Sequence, residues 1–374
     1  MRDVRVGIVG AGFAGRMHAE TARRLGARVT AVAASTPERG AQVAASMAAA
    51  RSYPTTEELV TAPDVDVVHV CTPNQSHHPL TQLALDAGKH VVCEKPVATN
   101  AADAIDLAKR AAAAATVTAV PFVYRYYPTA WEARHQVRDG GLGPIRLVHG
   151  SYLQDWLSES ADMNWRVDPA AGGASRTFAD IGSHWCDLVE WVTGQRIVEL
   201  IARTEILLPE RNRAAGRTFA KSVRTSDSQS VHTEDAAAVI FRTEGGALGN
   251  LLLSQVSPGR KNRLWFEVDC ADASIAFNQE EPEWLWSGSR TANRMLPRAA
   301  DSLSSDAARL VTLPPGHPQG YADCFAAFLT DVYAAIETGA PATFPTLTDG
   351  ARTAVLTDTV LNSARQGRWI EVPQ

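Results

Sequence analysis

The sequence predicts an α/β Rossmann domain, a doubly wound parallel sheet, followed by an α+β domain with a large, mostly antiparallel open sheet. Three observations carry this. Short β-branched runs alternate with Ala-rich helical stretches up to about residue 125, a Gly-x-Gly-x-x-Gly turn joins the first run to the first helix, and all nine Trp fall beyond residue 130. At 374 residues the chain exceeds one ordinary core, so two domains are expected, over 1–125 and 126–374.

In the first segment the spacing predicts strands at Val4–Val9, Arg28–Ala34, Val65–Cys71, His90–Cys93 and Val117–Val120. Short, uninterrupted apolar runs of this kind suit a parallel sheet covered on both faces. The helices between them are expected at Gly15–Leu25, Pro37–Ala50, Pro79–Ala87 and Ala101–Ala115, which completes a βαβ rhythm. Farther on, Val231–Thr243, Ala247–Val256, Arg263–Cys270 and Ala273–Phe277 alternate with period two. The turn signals Glu244-Gly245-Gly246 and Cys270-Ala271-Asp272 make them an antiparallel meander. Between Pro209 and Ser230 the chain is polar and poor in pattern and reads as a long loop. Helical spacing of Phe325, Phe328, Leu329, Tyr333 and Ile336 predicts a helix over Tyr321–Thr338, closed by Gly339, and Thr346–Gln366 reads as a last one.

Composition narrows the function. With 45% hydrophobic and 21% charged residues this is an ordinary globular chain, and its net charge of −5 with scattered basic residues leaves no footprint for nucleic acid or a membrane surface. Small molecules are the expected partners. The opening residues read as a strand entering a turn rather than a signal peptide, and no apolar run reaches the ~18 residues of a membrane span, so a cytoplasmic location is expected. Five cysteines, an odd number without Cys-x-x-Cys, suggest buried reduced thiols. Asp180, His184, Cys186 and Asp187 lack a second ligand cluster, so no metal site is expected.

The turn Gly10-Ala11-Gly12-Phe13-Ala14-Gly15 leaves a strand and opens a helix, the context in which this glycine spacing signifies a dinucleotide. Gly10 allows the tight turn, Gly12 admits a pyrophosphate against backbone N–H groups, and Gly15 lets helix and sheet close up. After the second strand an acidic residue would hold the ribose of NAD, yet the chain reads Ala34-Ser35-Thr36-Pro37-Glu38-Arg39. Ser35, Thr36 and Arg39 suit a 2′-phosphate, whereas Glu38 suits a ribose hydroxyl, so NAD and NADP both stay open. Thr72, Pro73, Asn74 and His77 follow the third expected strand and Glu94-Lys95-Pro96 the fourth. Both segments lie at carboxyl ends of strands, where open α/β sheets bind ligands.

Taken with the glycine turn, Thr72-Pro73-Asn74 with His77, Glu94-Lys95-Pro96 and Asp180-Ile181-Gly182-Ser183-His184 resemble the glucose–fructose oxidoreductase, inositol dehydrogenase and MocA family along essentially the whole chain. The resemblance implies an NAD(P)-dependent dehydrogenase in which Lys95, Asp180 and His184 are catalytic. The chemistry suits these types: a His near its ordinary pKa takes the proton of a secondary alcohol, a cationic Lys stabilises the developing alkoxide, and Asp180 orients the imidazole from one turn away. Asp180 read without the resemblance is equally a helix cap.

Where the family builds its substrate pocket the chain offers Tyr124, Arg125, Asp155, Trp156, Trp165, Arg166 and Arg176 beside His184. Polar groups with Trp faces suit a sugar, glycoside, anhydrosugar or cyclitol, and the local sequence is similar to the levoglucosan and inositol dehydrogenase subgroup. An acidic or phosphorylated sugar stays open if Arg125, Arg166 and Arg176 converge. So do core packing for each Trp, a glycoside hydrolase working by transient oxidation, and a non-catalytic nucleotide sensor. The family also implies a homodimer or homotetramer paired through C-terminal sheets.

Overall fold

The computed structural model describes residues 4–139, 141–212 and 228–374. It comprises two units, one of Met1–Phe122 with Phe325–Ala354 and one of Val123–Cys324 with Val355–Gln374. In the first, β1 (Arg5–Val9), α1 (Phe13–Arg24), β2 (Arg28–Ala33), α2 (Pro37–Met47), β3 (Arg51–Ser52), α3 (Thr56–Val60), β4 (Val67–Val70), α4 (His77–Asp86), β5 (His90–Cys93), α5 (Ala101–Ala113) and β6 (Thr118–Ala119) follow in order. The six strands form one parallel sheet in the order β3-β2-β1-β4-β5-β6. The winding reverses between β1 and β4, which makes their carboxyl ends the switch point for a ligand. Every residue of β4 is buried, as a strand with both faces covered requires. Only β3 and α3 go beyond the expected elements; each is too short to show a period.

The return of Phe325–Ala354 to the first unit differs from the expected division at residue 125. Its cause is apolar. Leu347, Ala351 and Ala354 join the buried cluster that contains Val70, Val91, Val97 and Leu107. The Val120 N–H donates to Pro345 O at 2.9 Å, and a Cβ at Gly350 would lie 2.5 Å from Val97 Cγ1.

The second unit begins with α6 (Pro128–Arg138), β7 (Ile145–Leu153), α7 (Pro169–Gly172), α8 (Ser183–Thr193), β8 (Ile197–Glu205), β9 (Glu210–Asn212) and β10 (Ser228–Ser230). It continues through β11 (Ala236–Thr243), β12 (Leu248–Ser254), β13 (Arg263–Cys270), β14 (Ala273–Asn278), β15 (Trp284–Ser289), β16 (Asn293–Pro297) and α9 (Ser305–Ala308). The helices α10 (Tyr321–Thr338) and α11 (Leu347–Gln366) and the strand β17 (Ile370–Glu371) end the chain. Nine strands form an open sheet in the order β16-β15-β14-β13-β7-β12-β11-β8-β17, antiparallel except for the β7–β12 pair. Burial alternates along β11, β12 and β13. One face presents Phe241, Leu251 and Phe266 to the core, with Trp185 of α8 lying 6.0 Å from Phe241.

Three readings of the second segment change. The central strand β7 is unexpected because Gly150 interrupts its pattern. A Cβ there would lie 2.2 Å from Trp265 O and 2.6 Å from Trp185 Nε1, so close packing of strand and helix demands glycine. The expected strand from Val231 starts instead at Ala236, because Glu234 and Asp235 ahead of it are buried acceptors for other elements. The expected loop after Pro209 contains the antiparallel pair β9–β10, while its middle, 213–227, lies outside the described residues.

Candidate active site

On the first unit the glycine turn is built as its sequence requires. Gly10 has a φ of +107°, and a Cβ there would lie 2.4 Å from Cys71 O. A Cβ on Gly15 would lie 1.9 Å from Gly10 O, so both positions exclude any side chain. Around Gly12 the opposite holds: nothing among the described residues lies within 4 Å of an added Cβ. Gly12 is also the N-cap of α1 and supplies no side-chain cap. The first amides of α1, flanked by Phe13 and Ala14, therefore face open space with the positive end of the helix behind them, which fits a dinucleotide pyrophosphate. Gly12→Val is expected to weaken NADH binding at least about tenfold by filling that space, measured by fluorescence titration; unchanged affinity would move the pyrophosphate elsewhere.

At the end of β2, Ser35, Thr36 and Arg39 are exposed. The Thr36 hydroxyl accepts from Arg39 N at 3.2 Å and caps α2, so its first task is to start that helix. Thr72 accepts from Ser76 Oγ at 2.7 Å, and Asn74 opens the short turn into α4. His77 was expected among the cofactor contacts. Its ring is buried instead, with Nδ1 2.7 Å from Pro96 O and Nε2 2.8 Å from Thr72 O. It braces two ligand-side turns from within, and burial pushes its pKa down. Glu94 and Lys95 follow β5, and the Lys95 N–H donates to Glu94 Oε2 at 3.1 Å. Burial opposes a charge on Glu94, but the His18 hydrogen bond and neighbouring Lys95 bring its pKa down to about 2.

The second unit carries the other half of the expected residues. Asp180 lies in a single π-helical turn, Phe178–Gly182, that runs into α8 and His184. Such turns recur at functional sites, and this one is held by the Glu234 carboxylate. Glu234 Oε1 accepts from Ser175 Oγ at 2.7 Å, Arg176 N at 3.1 Å and Phe178 N at 2.9 Å. Asp180 is therefore no helix cap: its Oδ2 accepts from Gln255 Nε2 at 2.8 Å, and Arg166 Nε lies 3.4 Å from its Oδ1. The His184 ring, buried, lies 4.7 Å from the ring of Tyr124.

Tyr124 heads a ladder of neutral polar groups. Its hydroxyl lies 2.7 Å from that of Tyr152 and accepts from Asn262 Nδ2 at 3.1 Å. Asn262 Oδ1 accepts from Tyr152 Oη at 2.6 Å and Gln154 Nε2 at 2.8 Å, and Gln154 Oε1 accepts from Trp156 Nε1 at 2.8 Å. Burial pushes the Tyr124 and Tyr152 hydroxyls up in pKa, so both stay protonated. Tyr152, Asn262 and Gln255 were missed in the sequence because each stands alone in a strand or loop. Asp155 accepts from Lys261 Nζ and from Gly259 N at 3.1 Å. Trp165 carries the Arg166 guanidinium 4.5 Å above its ring.

Each of the three arginines bonds a different carboxylate. Arg125 bonds Asp187 through two nitrogens, Nε at 2.8 Å and Nη2 at 2.5 Å, which also removes Asp187 from the candidate metal ligands. Arg166 belongs to Asp180. Arg176, expected to touch substrate, is fully buried and donates to Asp235 and, at 2.9 Å, to Glu234 O. It is a structural cation, because a buried guanidinium needs its counter-charge.

Comparisons with known proteins identify the fold and its family. Residues 4–122 match the model described as "Oxidoreductase family, NAD-binding Rossmann fold", and residues 131–276 match the "GFO/IDH/MocA C-terminal domain". The levoglucosan dehydrogenase of Pseudarthrobacter phenanthrenivorans is 28% identical over 401 residues, covering 100% of this chain and 99% of that protein. An oxidoreductase domain protein from Kribbella flavida has a similar solved structure, with a TM-score of 0.90 and 30% identity over 100% of both chains. A levoglucosan dehydrogenase in complex with NADH and L-sorbose superimposes with a TM-score of 0.90 at 25% identity, again over 100% of both chains. A parallel Rossmann sheet with an open glycine cradle, followed by a unit built on a nine-stranded, mostly antiparallel open sheet, together with these matches places the chain in the Gfo/Idh/MocA family of NAD(P)-dependent oxidoreductases.

Proposed function

We propose that this protein is a dehydrogenase that oxidises a secondary hydroxyl of an uncharged sugar, anhydrosugar or cyclitol, with Lys95, Asp180 and His184 as its catalytic residues. The observation that carries the reading is the ladder from Tyr124 to Trp156 beside the His184 ring. Neutral hydroxyl and amide groups interleaved with aromatic faces match the alternating O–H and C–H surfaces of a polyol. The candidate arginines are already spent on Asp187, Asp180 and Asp235, which disfavours an acidic or phosphorylated substrate. The relatives named levoglucosan dehydrogenase and inositol 2-dehydrogenase support the same class.

Bound NAD(P) supplies the hydride acceptor. His184 takes the hydroxyl proton as the C–H bond breaks, so the alcohol leaves as a ketone, having lost one hydride and one proton. The Lys95 ammonium stabilises negative charge on the alcohol oxygen, and Asp180, pinned by Gln255 and Arg166, fixes local charge and orientation. Phe13, Ala14 and the glycine amides hold the pyrophosphate, with Thr72, Pro73, Asn74 and Glu94 lining the rest of the cofactor site. Ser35 and Arg39 serve a 2′-phosphate and Glu38 a ribose hydroxyl. Levoglucosan, myo-inositol and simple glycosides supplied with NAD or NADP are expected to give accumulating reduced nicotinamide. The kcat/KM ratio of the two cofactors then assigns Ser35 and Arg39 or Glu38. Bound cofactor with no reduction across the panel would overturn the reading.

Ile240, Leu248 and Leu252 stand exposed on the open face of β11 and β12. An apolar sheet face of this kind supports a homodimer or homotetramer. The five cysteines are free and buried, and no helix among the described residues is long and apolar enough to cross a membrane. Free, buried thiols fit a reducing compartment such as the cytoplasm, and the levoglucosan and inositol relatives support a place in carbohydrate metabolism.

A further inference from the structure

Beneath the Glu94-Lys95-Pro96 turn runs a row of buried polar rings that hydride transfer does not use. His18 of α1, His69 of β4 and Tyr333 of α10 are all fully buried. Tyr333 Oη lies 3.2 Å from His69 Nε2, His69 Nδ1 lies 2.8 Å from His18 Nδ1, and His18 Nε2 lies 3.1 Å from Glu94 Oε1. The other Glu94 oxygen accepts the Lys95 N–H.

The ends of the row set its direction. At one end an ionised carboxylate only accepts, so His18 Nε2 donates to Glu94; at the other, the Tyr333 hydroxyl keeps its proton satisfied by donating to His69 Nε2, the acceptor it has among the described residues. His69 then carries its own proton on Nδ1 and donates it to His18 Nδ1. His18 carries its proton on Nε2 and donates it to Glu94. All bonds then run one way, each imidazole donating from one ring nitrogen and accepting at the other. Burial pushes the His69 pKa well below its ordinary value, in keeping with a neutral His69 ring.

Three polar rings cost more to bury than apolar ones of the same size, and the His18 ring already packs 4.7 Å from Phe325 in an apolar setting. We propose that His18, His69 and Tyr333 are positioning residues whose one-way row of hydrogen bonds fixes the Glu94 carboxylate, so that its second oxygen holds the Lys95 backbone in place for the reaction. With one oxygen anchored by His18, Glu94 cannot rotate away from the Lys95 N–H without losing a bond to its partly buried carboxylate. The inference rests on Lys95 being catalytic, as proposed above.

The test uses the full-length enzyme, NADH titration, and turnover of whichever panel substrate is oxidised. His18→Leu removes both ring nitrogens; His18→Gln returns an N–H toward Glu94; Tyr333→Phe removes one oxygen and leaves the ring. His18→Leu is expected to lower kcat about 50-fold and Tyr333→Phe about 10-fold, since small displacements of a reacting group cost that much. NADH affinity and substrate KM stay within about threefold, and His18→Gln recovers most of kcat. The proposal is overturned if kcat in these variants matches the wild type, or if NADH affinity falls in step with kcat. Should His18→Leu fail to fold, Tyr333→Phe decides alone. A fully active Lys95→Ala would overturn the functional reading itself, whereas an inactive Lys95→Ala beside unaltered His18 and Tyr333 variants would overturn the row alone.

Discussion

His184→Ala is expected to lower kcat by roughly 10²–10⁴ while leaving NADH binding largely intact, because it removes the proton acceptor and not the glycine turn. The ring is buried against Tyr124, so its loss also opens a small space. The surrounding contacts of α8, among them the Trp185 Nε1–H bond to Trp265 O at 2.9 Å, are unaffected and should keep the fold. The glycine turn belongs to the first unit and His184 to the second, so cofactor affinity and turnover report separately. Steady-state absorbance of reduced nicotinamide, read beside an NADH fluorescence titration, distinguishes the outcomes. Near-normal turnover would remove His184 from proton transfer and leave Lys95 to be tested as the proton acceptor.

Asp235→Ala is expected to destabilise the protein by about 3–5 kcal/mol, the range for stranding buried charge. The Asp235 side chain, like those of Arg176 and Arg211, is fully buried. It accepts from Arg176, from Arg211 Nη2 at 2.9 Å, and from Leu207 N and Leu208 N, each at 2.8 Å. Removing it leaves two buried guanidinium groups without that counter-charge. Burial opposes the charge on Asp235, yet Arg176, the Leu208 N–H and Arg211 outweigh it and hold the pKa below the ordinary carboxylate value. A depressed folded pKa gives stability that is full above the unfolded value of ~3.9 and is lost as pH falls through the folded value. Thermal melting should therefore show a large loss for the variant at pH 7 and a smaller difference from wild type in acid below pH ~4. Equal melting temperatures at pH 7 would mean that water reaches the arginines. Because Glu234, next in sequence, holds the turn that carries Asp180, the variant should also lose turnover.

The glycine turn, the Glu94-Lys95-Pro96 segment and the Asp180 to His184 run were legible because each is a local pattern whose meaning follows from the element before it. The apolar strands of the first unit were legible for the same reason. What escaped depends on distant partners. Arg125, Arg176 and His77 announce a charge or a ring but not what it touches, and the fold gives them Asp187, Asp235 and two carbonyls. Val231–Thr243 alternates well enough to read as strand throughout, yet Glu234 and Asp235 serve residues more than twenty positions away. The row from Tyr333 to Glu94 joins four segments, and nothing near His18 or His69 marks either as more than a packed histidine.

The return of Phe325–Ala354 to the first unit also dictates the order of assembly during synthesis. Strands β1 to β6 are made some two hundred residues before Leu347, Ala351 and Ala354, which complete their apolar cluster. That cluster therefore stays open while those residues are made, at roughly 5–20 residues per second. For that time the first unit keeps apolar surface exposed, the kind that makes incompletely made chains prone to aggregate.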